Sequence, residues 1–237
     1  MLNVDIKNFI KEHKRNINQI IYHSSKTNGL NEINNLINNF LNEKNSFVFE
    51  SVEKGVIKGR YTIFGRNPDK IWEFNNNKCF EYKKNKKKEI NGNPKKIIEK
   101  IIEEFKFKIP KNLPSISSLL SGYFSYDIIR YIEKIPNSCK DDLKIPDARI
   151  IRPKTLIIHD NFQQKIYYII NCFSDEKIYN YKRKFNLIKS QINDLIFISN
   201  YKKKITKKKL KKKIKIRSNI SKKKFLQNVR KAKKYIK

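Results

Sequence analysis

The sequence predicts an α+β fold in which mixed or antiparallel β-sheets are flanked by helices. Short β-rich runs, bounded by Asn, Gly and Pro, cluster between residues 46 and 91 and again from residue 148. Other segments place apolar residues at every third or fourth position, as on one face of a helix. The two patterns do not alternate regularly, which argues against a βαβ series with a parallel sheet.

The N-terminal elements follow from these patterns in chain order. Residues 4–12 are predicted to form a short helix and 17–22 an extended run. The apolar positions of a second helix are Leu30, Ile33, Leu36, Ile37, Phe40 and Leu41. Four to five strands are expected between 46 and 91, broken by turns at 66–69 and 75–77.

The middle of the chain adds a third helix and another β region. Asn93 is a suitable N-cap for a helix that begins at Pro94. A strand is predicted over 119–126. In the short helix that follows, over 128–133, Arg130 and Glu133 are three positions apart and are expected to pair.

The last third of the chain gives the clearest periodicity. Two runs, 148–158 and 165–173, flank Asp160–Asn161 and predict a hairpin. A long helix is predicted from apolar residues that step by three or four, namely Ile178, Tyr181, Phe185, Ile188, Ile192 and Leu195. A final helix has its apolar face at Phe225, Val229, Ala232 and Ile236. This face needs a covering element, so the fold is predicted to be incomplete at the C-terminus.

The charge of the chain is its strongest compositional feature. A net charge of +33 over 237 residues suggests a polyanionic partner. However, the excess is mostly lysine and accompanies many Asn and Ile residues, a bias that AT-rich codons produce by themselves. Only nine arginines are present, although arginine is the better reader of phosphates and base edges. We therefore expect no nucleic-acid partner.

Ten of the lysines fall in the run 202–215. A nucleic-acid or membrane-surface patch is one interpretation of such a run. The run contains no arginine and no aromatic residue, and the sequence suggests no second basic stripe beside it. We therefore interpret it as a solvated linker.

Several classes of site and location are excluded by the residues themselves. No apolar run of about 18 residues is present to span a membrane, and the N-terminus does not read as a secretory signal. Three widely spaced cysteines match neither a zinc site nor a disulfide framework, which favours the cytoplasm. His13, His23 and His159 share no metal-ligand spacing, so no metal ligand and no catalytic residue is assigned.

Three ordered blocks resemble one known family. The first runs from Phe47 to Pro68 and contains Phe-Glu-Ser-Val-Glu followed by Gly-Arg-Tyr-Thr-Ile-Phe-Gly. The second is Leu120–Pro136, which contains Ser-Gly-Tyr-Phe-Ser-Tyr-Asp, and the third is Asp141–Asp147. Together they resemble the N-terminal region of anthranilate synthase component I, and the resemblance covers nearly the whole chain.

The resemblance implies a division of the chain and an activity for a complete subunit. It implies a regulatory domain over 1–198, a Lys-rich linker over 199–217 and the truncated start of a chorismate-binding domain over 218–237. Complete members are lyases that convert chorismate to anthranilate, with ammonia supplied from glutamine by a partner amidotransferase, component II. Their Mg²⁺ ligands and catalytic residues lie in the part without a counterpart in this chain, so the chain alone is expected to be inactive.

The resemblance also implies a feedback site for L-tryptophan at Glu50, Ser51 and Arg60. A free amino acid offers an ammonium group and a carboxylate. Glu50 can accept from the ammonium, while Ser51 and Arg60 can donate to the carboxylate. A hydrogen-bonded core pair is the alternative interpretation of Glu50 and Ser51.

Three other functions stay open at this point. The related aminodeoxychorismate synthase component I shares this domain, although the Phe-Glu-Ser-Val-Glu and Gly-Arg-Tyr blocks favour anthranilate synthase. A basic nucleic-acid-binding protein would bind with a steep salt dependence. A stand-alone tryptophan-binding regulator would be stabilised by tryptophan alone.

Overall fold

A computed structural model describes residues 2–27, 30–40, 43–50, 59–84, 86–136, 138, 141, 143–201 and 218–236. The chain divides into two units, Met1–Lys203 and Lys204–Lys237. The first unit contains a β-sheet with its flanking helices, and the described part of the second unit contains a helix.

The helices and strands confirm the predicted α+β class. The α-helices are α1 (Ile6–Lys14), α2 (Leu30–Phe40), α3 (Pro94–Glu104), α4 (Tyr181–Asn200) and α5 (Lys222–Ile236), with a 3₁₀ helix at Tyr126–Tyr131. The strands are β1 (Gln19–Lys26), β2 (Phe47–Phe49), β3 (Tyr61–Asn75), β4 (Lys78–Lys83), β5 (Lys86–Ile90), β6 (Ser121–Phe124), β7 (Ala148–Asp160) and β8 (Lys165–Cys172).

Helix starts follow from capping side chains. Asn93 accepts hydrogen bonds from the backbone N–H groups of Lys95 and Lys96 at the start of α3, as predicted. Asp5 and Asn180 cap α1 and α4 in the same way. These side chains satisfy N–H groups that have no partner within the helix.

All strands pair antiparallel in one eight-stranded sheet, whose main order is β1-β8-β7-β3-β4-β5. The two central strands, β3 and β7, pair along most of their length. On its other side, β3 pairs first with β2 and then with β4. Likewise β7 pairs first with β6 and then with β8. The sheet therefore forks around the long antiparallel pair of β3 and β7.

Two prolines lie at the fork. Pro68 of β3 is opposite Pro153 of β7, and the register shifts between Pro68 and Lys70. Proline has no N–H to donate and is found in sheets at edges and bulges. Here each proline lies where its strand exchanges one outer neighbour for another. The turn predicted at 66–69 is therefore wrong, because the Asn-Pro pair forms a bulge within a continuous strand. The predicted turn after Asn75 is confirmed, with positive φ at Asn76 and Asn77.

The fork divides the sheet into two half-sheets. The first half-sheet comprises β1, β8, the C-terminal half of β7, the N-terminal half of β3, and β2. The second half-sheet comprises β6, the N-terminal half of β7, the C-terminal half of β3, β4 and β5. Alternating side chains place buried residues on both faces of the first half-sheet. One face packs against α1, α2 and α4, and the other packs against the segment between α3 and β6.

The second half-sheet buries side chains mainly toward α3 and the 3₁₀ helix. Trp72, Phe74, Cys79 and Ile150 form this cluster with Ile101 of α3. Strand β6 (Ser121–Phe124) is shorter than the strand predicted over 119–126. Within it, Gly122 lies so close to the Arg149 carbonyl that a Cβ atom would collide with it.

The predicted pair in the 3₁₀ region is wrong. Arg130 Nε donates to Asp127 Oδ1 at 3.0 Å, and Arg130 Nη1 donates to the carbonyls of Ile135 and Pro136. Ser125 occupies the N-cap position of this helix. In a 3₁₀ helix, side chains three apart lie directly above one another. Asp127 lies within the helix Tyr126–Tyr131, whereas Glu133 lies beyond its end.

The described part of the second unit is the amphipathic helix α5. Ser221 accepts from the Lys224 backbone N–H at 3.3 Å and caps it. Its apolar side chains are exposed, including Phe225, Val229 and Ile236. The predicted helix is confirmed.

Candidate functional site

Arg60 and Asp160 form a bidentate ion pair at one end of the central strand pair. Arg60 precedes the first residue of β3, and Asp160 is the last residue of β7. Arg60 Nη2 donates to Asp160 Oδ2 at 2.7 Å, and Arg60 Nε lies 3.1 and 3.2 Å from the two carboxylate oxygens. The Asp160 side chain is 1% exposed and the Arg60 side chain 25% exposed. The pair therefore has a buried acid and a partly accessible cation.

Two aromatic rings flank the Arg60 guanidinium. Its central carbon lies 4.9 Å from the ring centroid of Tyr61 and 5.4 Å from that of Phe162. Such contacts attract the cation to the ring faces and limit its orientation. The position of the guanidinium is therefore fixed by three hydrogen-bond contacts to the carboxylate and by two contacts with aromatic rings.

Asp160 also organises the turn after β7. Its Oδ1 accepts from the backbone N–H groups of Phe162 and Gln163, each at 3.0 Å. Burial alone would raise the pKa of Asp160, but the hydrogen bonds from Arg60 and Gln163 and the charge of Arg60 outweigh it and hold this pKa below its ordinary value. The carboxylate therefore stays ionised.

Of the other two predicted site residues, Glu50 lies just beyond the end of β2. Glu50 directly follows Phe49, whose Cα partner on β3 is Ile63, and Glu50 is exposed. The end of β2 and the start of β3 therefore lie side by side, which brings Glu50 toward the strand that Arg60 begins. Ser51 and the predicted turn at Lys54-Gly55 lie outside the described residues. The assignment of Glu50, Ser51 and Arg60 to an amino-acid site stays a prediction.

Asp160 is the residue of this region that sequence reasoning missed. In the sequence, Asp160 and Asn161 indicate a turn, and the 100 positions between Arg60 and Asp160 hide the contact. The signal that could have found it is the hairpin itself. Pairing β7 with the start of β3 would have placed Asp160 opposite Tyr61, next to Arg60.

A second group of charges lies at the fork. Arg152 donates to Asp69 at 2.8 and 2.5 Å and to Asp175 at 3.0 Å, and Lys70 pairs with Asp175 at 2.7 Å. These residues, except Asp69, line a cleft of about 370 Å³ together with Trp72, Phe105 and Phe173. Each cation faces acids of the same group, so we interpret the group as an internal network that joins the half-sheets.

A buried polar cluster lies between the sheet and α2. Tyr168 donates to Glu32 at 2.8 Å and lies 2.6 Å from the Ser199 hydroxyl, and all three side chains are buried. Thr27 also donates to Glu32, at 2.9 Å. We call Glu32, Tyr168 and Ser199 the Glu32 cluster. Because its members satisfy one another, it connects α2, β8 and α4.

His159 is buried on the same face of the sheet. It is 2% exposed, and both ring nitrogens are buried; the Asn161 side chain is close enough to act on its pKa. Burial lowers the pKa of His159, although the charges of Glu32 and Asp160 act in the opposite direction. The ring is therefore held neutral in the folded protein.

No metal site or membrane span is found among the described residues. Over these ranges no three His, Cys, Asp or Glu side chains are grouped so that they could hold a metal ion. Likewise, no helix in the described ranges is both long and apolar enough to cross a membrane. Cys79 and Cys172 are buried free thiols, and burial raises the pKa of each to about 12.

The structure also corrects the expectation of a single basic stripe. A second set of lysines occupies the β4–β5 hairpin, namely Lys78, Lys83, Lys84, Lys86, Lys87 and Lys88. Lys87 lies 4.0 Å from the ring centroid of Phe80. Strand β5 ends the sheet order, and lysine on such an edge prevents pairing with other chains. The run 202–215 lies outside the described residues.

Comparisons with known proteins identify relatives of the chain. The profile of a family described as chorismate binding enzyme matches residues 49–237. Anthranilate synthase component 1 of Acetivibrio thermocellus is 33% identical over 195 residues, which cover 80% of this chain and 40% of that protein. The corresponding protein of Cereibacter sphaeroides is 30% identical over 126 residues, which cover 51% of this chain and 25% of that protein.

A solved structure, anthranilate synthase component I from Streptococcus pneumoniae, is similar over 67% of this chain and 34% of its own, with 20% identity and a TM-score of 0.45. The chain thus spans less than half the length of these proteins. The family profile extends across the predicted boundary at residue 198, so the predicted division into domains stays a prediction.

Proposed function

The chain belongs to the chorismate binding enzyme family, and we propose that it is the N-terminal part of an anthranilate synthase component I. The observation that carries this proposal is the 33% identity over 195 residues to the Acetivibrio thermocellus protein of that name. Other relatives that match the chain have the same name, including one from Saccharomyces cerevisiae that is 30% identical over 137 residues.

The proposed reaction is that of the complete subunit, a lyase that forms anthranilate from chorismate. Ammonia would come from glutamine through component II, in the cytoplasm. We assign no step of this chemistry, and no contact with Mg²⁺, to the residues of this chain. Its proposed role is regulatory, through the binding of L-tryptophan.

The amino-acid site is proposed at Glu50, Ser51 and Arg60. In its support, Arg60 is a partly accessible cation in a fixed orientation, as a carboxylate receptor requires. Glu50 is an exposed acid close to the same strand end and is available to an ammonium group. The site would therefore recognise both charged groups of a free amino acid.

The first experiment is calorimetric titration of this chain with L-tryptophan. We expect saturable binding that is weakened by Glu50→Ala and by Ser51→Ala. The control is Glu89→Ala, which removes an exposed acid from the edge strand β5 and is expected to leave binding unchanged. Equal binding by all four proteins would contradict the site assignment, since the proposed residues would then be irrelevant to affinity.

The reaction itself is tested in a complete subunit. A chimera that continues this chain with the remaining part of the Acetivibrio thermocellus protein can be assayed for product with chorismate and ammonia. Fluorescent anthranilate is the expected product, and Glu50→Ala should weaken its inhibition by tryptophan while uninhibited turnover stays nearly intact. Release of aminodeoxychorismate would instead support the related synthase, which shares this domain.

A further inference from the structure

The contacts of Arg60 leave one part of its guanidinium for a ligand. Asp160 engages Nε and Nη2 from one side. Within the described part of the chain, Nη1 donates to no acceptor, although guanidinium offers five N–H donors in a planar fork. Since the rings of Tyr61 and Phe162 lie against the same group, a carboxylate would approach Arg60 in the guanidinium plane, at Nη1.

The Asp160 carboxylate also cancels the charge of Arg60. The two groups are 2.7 Å apart, and Asp160 is almost completely buried, so solvent does not screen the pair fully. A ligand at Nη1 thus meets a donor with little net positive charge around it. With the exposed carboxylate of Glu50 nearby, such a site favours a ligand whose own charges balance.

Resting on the proposed function, we propose that Asp160 is a positioning and specificity-determining residue of the amino-acid site. Asp160 fixes Arg60 so that Nη1 receives the ligand carboxylate. By neutralising Arg60, it also makes the site select a zwitterionic amino acid over an anion without an ammonium group. Chorismate, with two carboxylates, is disfavoured for the same reason, so the regulatory site is kept free of the substrate.

A simpler role for Asp160 must be separated from this one. Its Oδ1 accepts from the N–H groups of Phe162 and Gln163, so the residue also stabilises the turn. Asp160→Asn keeps a carbonyl oxygen for these two donors and removes the charge. A purely structural role predicts equal loss of affinity for every ligand, whereas a role in selectivity predicts a change in the ratio of affinities.

The test measures that ratio with two ligands on the intact chain. L-Tryptophan carries both charged groups, and indole-3-propionate has the carboxylate but no ammonium group. We expect wild type to prefer L-tryptophan. In Asp160→Asn the preference should fall about fivefold to tenfold, because the partly accessible charge of Arg60 is no longer compensated and attracts the anion.

Two further variants separate charge from position. Arg60→Lys keeps a cation beside Asp160 but loses the planar fork. It is expected to weaken both ligands while preserving the preference. Asp69→Asn removes one negative charge from the fork network, about 30 Å along β3 at 3.3 Å per residue. It should leave the preference as in wild type, and thermal melts confirm that each variant is folded.

The outcomes distinguish this inference from the proposed function. If wild type binds L-tryptophan and Asp160→Asn keeps the wild-type preference, Asp160 has no part in selectivity and the inference is overturned alone. If wild type binds neither ligand, the proposed amino-acid site is overturned and this inference with it. A preference that falls in Asp160→Asn but not in Asp69→Asn supports both.

Discussion

The two half-sheets share the same central strands but are stabilised differently. In the first, β8 is buried on both faces from Ile166 to Cys172, and apolar clusters lie above and below it. In the second, β5 is exposed along most of its length, and the cluster found in the described residues lies toward α3. Charged groups, such as Arg149 with Glu73 at 2.9 Å, occupy its other face.

This difference shows where a rigid site can be built. A strand that is packed on both faces has few alternative positions, because each side chain is held by neighbours. The Arg60–Asp160 pair lies at the end of two such strands in the first half-sheet. The second half-sheet packs one face on an apolar cluster, and its other face carries charge pairs, which stabilise only weakly where water reaches them.

The largest expected effect comes from removing apolar volume in the first half-sheet. Ile169 is fully buried beside Leu156. Ile169→Ala is expected to lower the free energy of unfolding by about 2–5 kcal/mol, through lost burial and the resulting cavity. The matched control is Ile71→Ala on β3 of the second half-sheet, where the side chain is half-buried; it should cost less than about 2 kcal/mol.

Urea denaturation of both variants checks this difference. If Ile71→Ala destabilises the protein as much as Ile169→Ala, the two half-sheets are packed equally and the comparison fails. If the unfolding free energy of either variant depends less steeply on urea concentration than that of wild type, the surface exposed on unfolding has changed as well as the stability.

A smaller loss of unfolding free energy is expected when a tyrosine hydroxyl is removed from β8, and it should differ between the two faces of the strand. Tyr168→Phe removes the hydroxyl that donates to Glu32 and contacts Ser199 in the Glu32 cluster. Because these buried groups then lose a partner, a loss of about 1–3 kcal/mol in unfolding free energy is expected. The adjacent Tyr167 points to the opposite face, and its hydroxyl contacts Gln163 alone at 3.2 Å among the described residues.

Tyr167→Phe is therefore the control for Tyr168→Phe. Its hydroxyl is close to an exposed glutamine, so the variant should lie within about 0.5 kcal/mol of wild type. Thermal melts of the two single variants provide the measurement. Equal losses would mean that the Glu32 cluster adds nothing beyond an ordinary hydrogen bond.

Much of the fold could be predicted because the spacing of apolar residues along the sequence indicates which side chains are buried. Helix α4 was predicted from the apolar spacing of Ile188, Ile192 and Leu195, and these residues are buried in the structure. The β7–β8 hairpin was predicted from its two runs and its turn. In both cases the signal lies within a few neighbouring residues.

The fork and the Arg60–Asp160 pair could not be predicted in the same way. Asn67-Pro68 is a turn signal by composition, and only pairing with Pro153 shows that it is a bulge. Asp160 is typical of a turn, and its contact with Arg60 spans 100 residues. Both features depend on which strands become neighbours, and one sequence alone does not specify that.

The smallest change in stability is expected when the pH is lowered, and it should come from His159 in the first half-sheet. The pKa of His159 in the first half-sheet is lowered, chiefly by burial. In the second half-sheet the resolved shifts are upward for Cys79, Tyr82, Tyr123 and Tyr131, which ionise on the alkaline side. Between neutral and mildly acidic pH, stability should therefore respond to the first half-sheet.

The sign follows from proton uptake. Below the ordinary histidine pKa of about 6.5, the unfolded chain binds a proton at residue 159 while the folded protein resists it. The contribution of His159 to stability should thus be constant above that pH and decrease below it, until the pH reaches the lowered pKa of the folded state. The lowered pKa values of Asp160, Asp175 and Glu176 act only at more acidic pH.

The urea midpoint of wild type and His159→Phe, measured from pH 8 to pH 5, tests this. The urea midpoint should decrease less toward pH 5 in His159→Phe than in wild type. If both proteins show the same dependence on pH, His159 does not resist protonation in the folded protein.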